Sequence, residues 1–164
     1  MTSVADRDPD TVVVTETGVR RFQLEVMAAG ATFLADEPVE AGGLGSGPNP
    51  YDLLASALGG CTAMTLRLYA SRKGWPLNRV TVRVLHTRAE LDARDRFARE
   101  ISLEGPLDAS QQRRLLEIAG RCPVHRTLER GAEIVSVLAQ PPVIAAPNEA
   151  GEGHMRDMVD ACRD

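Results

Sequence analysis

Cys122 is the residue whose surroundings most clearly favour chemistry. The segment Arg121-Cys122-Pro123-Val124-His125 places a thiol at the N-cap of a short predicted helix, with proline at the first helical position. Free backbone N–H groups and the helix dipole stabilise a thiolate there, and the thiolate is the reactive form of cysteine. Arg121 and His125 add donors or positive charge. The same pattern also fits a cysteine that only caps the helix.

Cys61 is the second candidate. It lies on the apolar stripe of a long predicted helix, directly after Gly59-Gly60. A free cysteine in such a position is typically a small hydrophobic residue of the core. The two glycines, however, leave room for a substrate or a partner chain to approach the sulfur. Core packing and chemistry therefore both remain open for Cys61.

The remaining cysteine and histidines show weaker evidence of a chemical role. Cys162 is predicted to be an exposed free thiol near the C-terminus, and His86 and His154 have no identifiable partner in the sequence. A zinc site would need Cys61 and His86 to converge on the Cys-x-x-His segment, so no metal is expected.

Composition restricts the class of protein. The 164 residues suffice for one domain with a core, and 43% of them are hydrophobic. The net charge of −4 and the aromatic content of 4% give no sign of a nucleic-acid-binding surface. Residues 1–10 lack an export signal, and no apolar run is expected to reach membrane-spanning length. We expect a cytoplasmic protein without nucleic-acid or membrane partners, in which a disulfide would be transient and catalytic.

The periodicity of the sequence predicts the elements that position these residues. Alternating or β-branched segments predict strands at 11–15, 21–27, 31–35, 79–86, 96–103 and 133–139. Capping residues and apolar spacing predict helices from Asn49-Pro50 to about Lys73, from the Asp108–Gln111 capping box to about Ala119, and from Pro123 to Arg130. The fold class is therefore α+β, with an antiparallel sheet packed on a long central helix.

One domain is predicted, spanning residues 11–140. Residues 1–10 are expected to form a flexible N-terminus, and residues 141–164, rich in proline, alanine and charge, a loose C-terminal tail. At most a frayed helical turn is expected around 155–161, and deletion from about Ala145 onward should cost little stability. The long helix carries a stripe too apolar to be covered by one thin sheet, which indicates a partner subunit.

Two motifs resemble those of the OsmC/Ohr family. Residues 47–62 (GPNPYDLLASALGGCT) resemble the central-helix signature of that family, and residues 122–128 (CPVHRTL) resemble its second-cysteine motif. The element order is similar to that of the family from about Val12 to Ala139. The resemblance implies an OsmC-like fold and an intertwined homodimer with a site at the subunit interface.

The resemblance also implies an activity, namely thiol-dependent reduction of organic hydroperoxides in an oxidative stress response. Cys61 matches the peroxidatic thiol of this peroxiredoxin-like chemistry, and Cys122 matches the resolving thiol. Attack on the peroxide gives a sulfenic acid, which condenses with the second thiol to a disulfide, and an external dithiol restores the enzyme. Arg20 or Arg21 would stabilise the thiolate, and no cofactor is expected.

Tyr51 is a departure from the family pattern. Family peroxidases usually carry Glu there, and that Glu holds the Arg against the thiolate. Asp52 is the neighbouring carboxylate, turned by about 100° on the helix, and we expect it to position the Arg, while Tyr51 and His125 contribute to binding. The departure leaves a second function open, a non-catalytic dimer that binds a small apolar ligand or senses redox state in the same pocket.

Overall fold

The computed structural model describes residues 11–138 and 153–163. The elements are β1 (Val13–Glu16), β2 (Leu24–Ala28), β3 (Ala31–Ala35), a 3-10 turn (Val39–Ala41), α1 (Pro50–Arg72), β4 (Arg79–Thr87), β5 (Arg96–Glu104), α2 (Ala109–Ala119), α3 (Pro123–Arg130) and α4 (Gly153–Ala161). They form two compact units, whose described parts are residues 11–53 with 134–138 and 153, and residues 54–133 with 154–163. The predicted α+β class, with antiparallel sheets and a long helix, is confirmed.

The first unit contains an antiparallel sheet in the order β1-β2-β3. A two-residue turn joins β2 to β3, and both of its residues have positive φ, 48° at Ala29 and 79° at Gly30. Type I′ turns require positive φ at both central positions, because only this twist matches that of the flanking strands. Val26 is the buried residue of β2.

Asp36 organises the glycine-rich loop that leads to α1. Its carboxylate accepts hydrogen bonds from the backbone N–H groups of Glu37, Leu44 and Ser46 and from the Ser46 hydroxyl. Burial opposes ionisation, but these hydrogen bonds outweigh it and hold the pKa of Asp36 below its ordinary value. Gly43 must be glycine, since a Cβ there would lie 1.9 Å from the carbonyl oxygen of Glu37.

Helix α1 begins as the sequence predicts. The Asp52 carboxylate accepts from the Asn49 N–H, and the Asn49 side chain accepts from the Asp52 N–H, both at 3.0 Å. α1 is long and apolar enough to cross a membrane by length and composition, so the expectation that no run reaches that length is wrong. Core helices of soluble proteins meet the same criteria, and seven residues of α1 are buried.

The second unit carries the cysteines. β4 and β5 form a nine-residue antiparallel hairpin in which inward and outward residues alternate. Gly59 of α1 lies against this hairpin, because a Cβ at Gly59 would be 3.3 Å from Val84. The largest core cluster joins α1 to α2, with Leu66, Leu115 and Ile118 completely buried.

The boundaries of α2 and α3 follow their predicted caps. Asp108 and Gln111 form the predicted capping box of α2, with each side chain bonded to the backbone of the other residue. Cys122 is the N-cap of α3, Pro123 is its first residue, and Gly131 follows its end with a φ of 79°.

Two expectations near the C-terminus are wrong. Residues 133–138 form no strand in the described chain, and residue 139 lies outside the described residues. Their apolar side chains are exposed, Ile134 by 87% and Leu138 by 93%, so this β-branched run forms no strand pairing among the described residues. Within the tail, residues 141–152 are outside the described residues, but α4 is a nine-residue helix rather than a frayed turn.

Candidate functional site

Cys61 and Cys122 lie in one small buried cluster. α1 supplies Cys61 and Leu58, and the start of α3 supplies Cys122. Cys122 is completely buried and Cys61 is 3% exposed. Partly buried apolar residues surround the cluster, namely Val84, Phe97, Val124 and Leu128. Both cysteines are free thiols.

The start of α3 holds both sulfur atoms. The His125 N–H donates to the Cys122 sulfur at 3.3 Å, which is the N-cap bond that the sequence predicts. One residue earlier, the Val124 N–H donates to the Cys61 sulfur at 3.5 Å. Two consecutive free N–H groups of one helix end thus point at two different cysteines, which fixes the sulfurs beside each other.

The two thiols titrate as an interacting pair. The pKa of Cys122 is lowered to about 5, first by its interaction with the Cys61 thiol and then by the His125 N–H, Thr62 and the charge of Arg99, all against desolvation. The pKa of Cys61 is raised, first by its interaction with Cys122 and then by burial. These shifts belong to the pair, and they favour negative charge on Cys122 over Cys61.

Arg99 of β5 is the cation of the site. One of its guanidinium nitrogens donates to Thr62 Oγ1 at 2.8 Å and to the Ala119 carbonyl at 2.9 Å, and the other lies 2.9 Å from His125 Nδ1. A guanidinium only donates, so His125 Nδ1 accepts and the ring proton lies on Nε2. The Thr62 hydroxyl donates to the Leu58 carbonyl at 2.7 Å and lies 3.7 Å from the Cys122 sulfur, and the positive charge of Arg99 lowers the pKa of Cys122.

A different set of donors surrounds Cys61. His154 of α4 places Nε2 3.4 Å from the Cys61 sulfur. Thr65, one helical turn beyond Cys61, faces the same sulfur, and its hydroxyl lowers the pKa of Cys61. That hydroxyl is buried and has no formed hydrogen bond within the described part of the chain.

A small pocket shares Leu58, Phe97 and Leu128 with the cysteine cluster, and its lining includes neither Cys61 nor Cys122. Its volume is about 170 Å³, and it is lined by apolar Leu58, Phe97 and Leu128 and by polar Arg99, His125 and Glu129. Pockets for drug-sized ligands are larger, about 300–1,000 Å³. The combination of apolar walls with an arginine and a histidine suits a small ligand that has one polar end.

The structure brings together part of the predicted site. Cys61 and Cys122 lie in one cluster, and the His125 N–H donates to the Cys122 sulfur. Arg20 and Arg21 lie in the connection between β1 and β2, where the Arg21 guanidinium stands 5.7 Å from the Phe22 ring centroid. Their roles at the thiolate stay predictions.

Tyr51 and Asp52 occupy the first turn of α1. The Asp52 carboxylate is engaged by the Asn49 N–H in the helix cap described above. Positioning of an arginine by Asp52, and binding by Tyr51, also stay predictions.

Cys162 was expected to be exposed, and this is wrong. It is 5% exposed, belongs to the largest core cluster and donates to the Thr65 carbonyl at 3.7 Å. His86, the other partner of the zinc alternative, lies 2.7 Å from Asp95. Among the described residues, no group of three or more His, Cys, Asp or Glu side chains is arranged to hold a metal ion.

Arg99 and His154 are the site residues that the sequence reasoning missed. Arg99 had a signal, because it stands among inward-facing Phe97 and Ile101 on an alternating strand, where a charge requires a partner. His154 had no such signal in the sequence, since 92 residues separate it from Cys61 in the chain.

Solved structures with the same fold are those of OsmC-type proteins. A protein from Psychrobacter arcticus 273-4, provisionally described as an osmotic stress induced and detoxification response protein, is 24% identical, with a TM-score of 0.63 over 71% of this chain and 86% of that chain. An OsmC-like protein from Mycoplasma pneumoniae is 21% identical, with a TM-score of 0.60 over 76% and 89%. The organic hydroperoxide resistance protein OsmC from Legionella pneumophila is 22% identical, with a TM-score of 0.56 over 72% and 88%.

Two sequence comparisons were made. The comparison with curated proteins found no match to the chain. The family model described as OsmC-like protein matches residues 43–136, which is more than half of the 164 residues and includes both cysteines of the pair. The chain belongs to the OsmC-like protein family.

Proposed function

We propose that this protein reduces organic hydroperoxides with the Cys61–Cys122 pair. The observation that carries the proposal is the pairing of two buried thiols whose sulfurs accept from consecutive N–H groups at the start of α3. Perturbed titration at a site of convergent donors is typical of a functional site. Some solved structures of the same fold are named organic hydroperoxide resistance proteins, which supports this choice of substrate.

Cys61 is the attacking thiol in this proposal. It matches the peroxidatic cysteine in the family resemblance, and the helix beside it is open, since a Cβ at Gly60 would meet no atom within 4 Å. Cys122 is completely buried behind Thr62 and holds the resting negative charge. Cys122 therefore acts first as the base, taking the proton of Cys61.

Peroxide reduction then proceeds in steps that conserve electrons and protons. The Cys61 thiolate attacks the terminal peroxide oxygen, the O–O bond breaks, and the products are a Cys61 sulfenic acid and an alkoxide. The Cys122 thiol returns its proton to the alkoxide, which leaves as the alcohol. The Cys122 thiolate then attacks the Cys61 sulfur, forming the disulfide and releasing hydroxide, which becomes water. An external dithiol reduces the disulfide.

The pocket supports a small substrate. Leu58, Phe97 and Leu128 offer an apolar wall to the organic part of the peroxide, and Arg99 and His125 offer donors to its oxygen atoms. We place this chemistry in a homodimer in the cytoplasm, because the cytoplasm keeps thiols reduced.

Three single variants test the proposal in an assay of peroxide consumption with a dithiol as reductant. Cys61→Ser should abolish turnover, because a hydroxyl is a far weaker nucleophile than a thiolate. Cys122→Ser should consume about one peroxide per chain and stop as a sulfenic acid on Cys61, detected with a sulfenic-acid probe and peptide mass spectrometry. Arg83→Gln is the control and should keep full turnover, since the Arg83 side chain is 82% exposed.

The outcomes separate the alternatives. A sulfenic acid on Cys122 in the Cys61→Ser protein would show that the thiol roles are reversed. If neither cysteine reacts with a hydroperoxide faster than a free thiol does, the protein is no peroxidase, and the binding of a small apolar ligand in the same pocket remains.

A further inference from the structure

His154 contacts the sulfur of the attacking cysteine from a part of the chain that the family match does not include. The matched segment ends at residue 136, whereas α4 begins at Gly153. The Nε2 atom of His154 lies 3.4 Å from the Cys61 sulfur, within the 4.0 Å that a hydrogen bond to sulfur allows. This contact is therefore a feature of this chain's C-terminal helix.

Helix α4 is anchored on the second unit by contacts other than His154. Met158, Ala161 and Cys162 are buried, by 97%, 93% and 95% of their surfaces. Cys162 donates to the Thr65 carbonyl, and the Arg72 guanidinium donates to the Val159 carbonyl at 3.1 Å. Because residues four and eight positions apart share one helix face, the anchors that bury Met158 and Cys162 also turn His154 toward α1.

Hydrogen-bond donors surround the Cys61 sulfur, and the protonated thiol does not satisfy them fully. The Val124 N–H points at the sulfur, and the buried Thr65 hydroxyl faces it without a formed hydrogen bond in the described residues. A thiol is a weak hydrogen-bond acceptor for such donors, whereas a thiolate is a strong one. Together with His154, these two groups form a set of donors arranged for a negative sulfur at Cys61.

We propose that His154 is a catalytic residue that donates from Nε2 to the Cys61 thiolate, and that α4 thereby completes the peroxide-reducing site. This inference rests on the proposed function. In the resting pair the charge lies on Cys122, and attack requires the proton of Cys61 to move to Cys122. The His154 donor stabilises the state after this transfer. His154 is exposed while Cys61 is buried, so the same ring connects the buried sulfur to solvent.

The experiment measures the charge on Cys61 without any peroxide. In a Cys122→Ser background, where Cys61 titrates alone, the rate of iodoacetamide alkylation at Cys61 is followed against pH by peptide mass spectrometry. His154→Ala should raise the midpoint by about one pH unit, which corresponds to about tenfold slower alkylation near pH 7. His154→Gln keeps a donor and should show a smaller shift.

Met155→Ala is the matched control, because Met155 is the next residue of α4 and is 57% exposed. Its alkylation profile should equal that of the parent protein. Equal thermal unfolding of the His154 and Met155 variants would show that α4 remains docked in both. A midpoint that His154→Ala leaves unchanged overturns the inference.

Peroxide turnover, measured separately in the chain with Cys122 intact, distinguishes the two proposals. A shifted alkylation profile in a protein without peroxidase activity would retain the His154 contact and reject the proposed function. An unshifted profile in an active peroxidase would reject the role of His154 and retain the function.

Discussion

At Cys122, charge and neutral donors stabilise the thiolate together. The N-cap position supplies the His125 N–H, and Arg99 supplies positive charge. The cysteine at the start of CPVHRTL was expected to be activated by its helix together with Arg121 and His125. The helix contributes as expected, but Arg99 comes from a strand and its role depends on a tertiary contact.

Arg99→Gln should raise the pKa of Cys122. Removal of the cation makes the thiolate less favourable, so the pKa moves up toward the ordinary value of a thiol. We expect a shift of up to about one unit, because the charge of Arg99 contributes less to the lowered pKa than the hydrogen bonds of Cys122 do. The thiolate absorbance of the Cys61→Ser and Cys61→Ser/Arg99→Gln proteins, titrated between pH 4 and pH 10, measures it.

Arg83→Gln serves as the matched control for Arg99→Gln. Arg83 lies on the neighbouring strand β4, and its side chain is 82% exposed. This variant should leave the titration unchanged. A Cys122 titration that responds equally to both substitutions would show that net charge, rather than the Arg99 contact, sets the pKa.

At the scale of the element, capping chemistry made most boundaries predictable. The Asp108–Gln111 box and the Cys122-Pro123 cap depend on residues within one turn, so α2 and α3 begin where the sequence predicts. The strand expected at 133–139 depends on a partner strand far along the chain. The β-branched run therefore predicted a strand, whereas residues 133–138 form none.

The C-terminal helix was the largest error at this scale. Proline, glycine and charge over residues 141–164 predicted a loose tail, yet α4 buries Met158, Ala161 and Cys162. The mixed composition of this segment includes one apolar face, at positions 158, 161 and 162. The face cannot be recognised from composition alone, and the docked helix shows it.

Truncation after residue 152 should therefore destabilise the protein. The loss of buried Met158, Ala161 and Cys162 should cost at least about 2 kcal/mol of unfolding free energy, or about 4–8 °C in Tm for a chain of this size. Thermal unfolding followed by circular dichroism measures the change. A truncated protein that melts with the full chain would show that α4 does not dock in solution.

At the scale of the whole molecule, the described chain leaves much apolar surface exposed. In the first unit, Val14 of β1 and Met27 of β2 are 53% and 41% exposed, and on α1 Met64 is 56% exposed. Residues 134–138 add a short run that is apolar at four of five positions and almost fully exposed. Monomeric proteins rarely present so many apolar surfaces at once, and larger contiguous ones mark interaction sites.

The protein should therefore be a homodimer in solution. Light scattering at micromolar concentration should give about twice the chain mass of 17.7 kDa. Paired substitution of Ile134 and Val135 by Ser should weaken association, because it removes apolar area that is exposed in the described chain and available to a second chain. Glu133→Ser, next to them in the same segment, is the control and should leave the mass unchanged. A wild-type protein that scatters as a monomer at every concentration would contradict the dimer and would leave the exposed run 134–138 without an explanation.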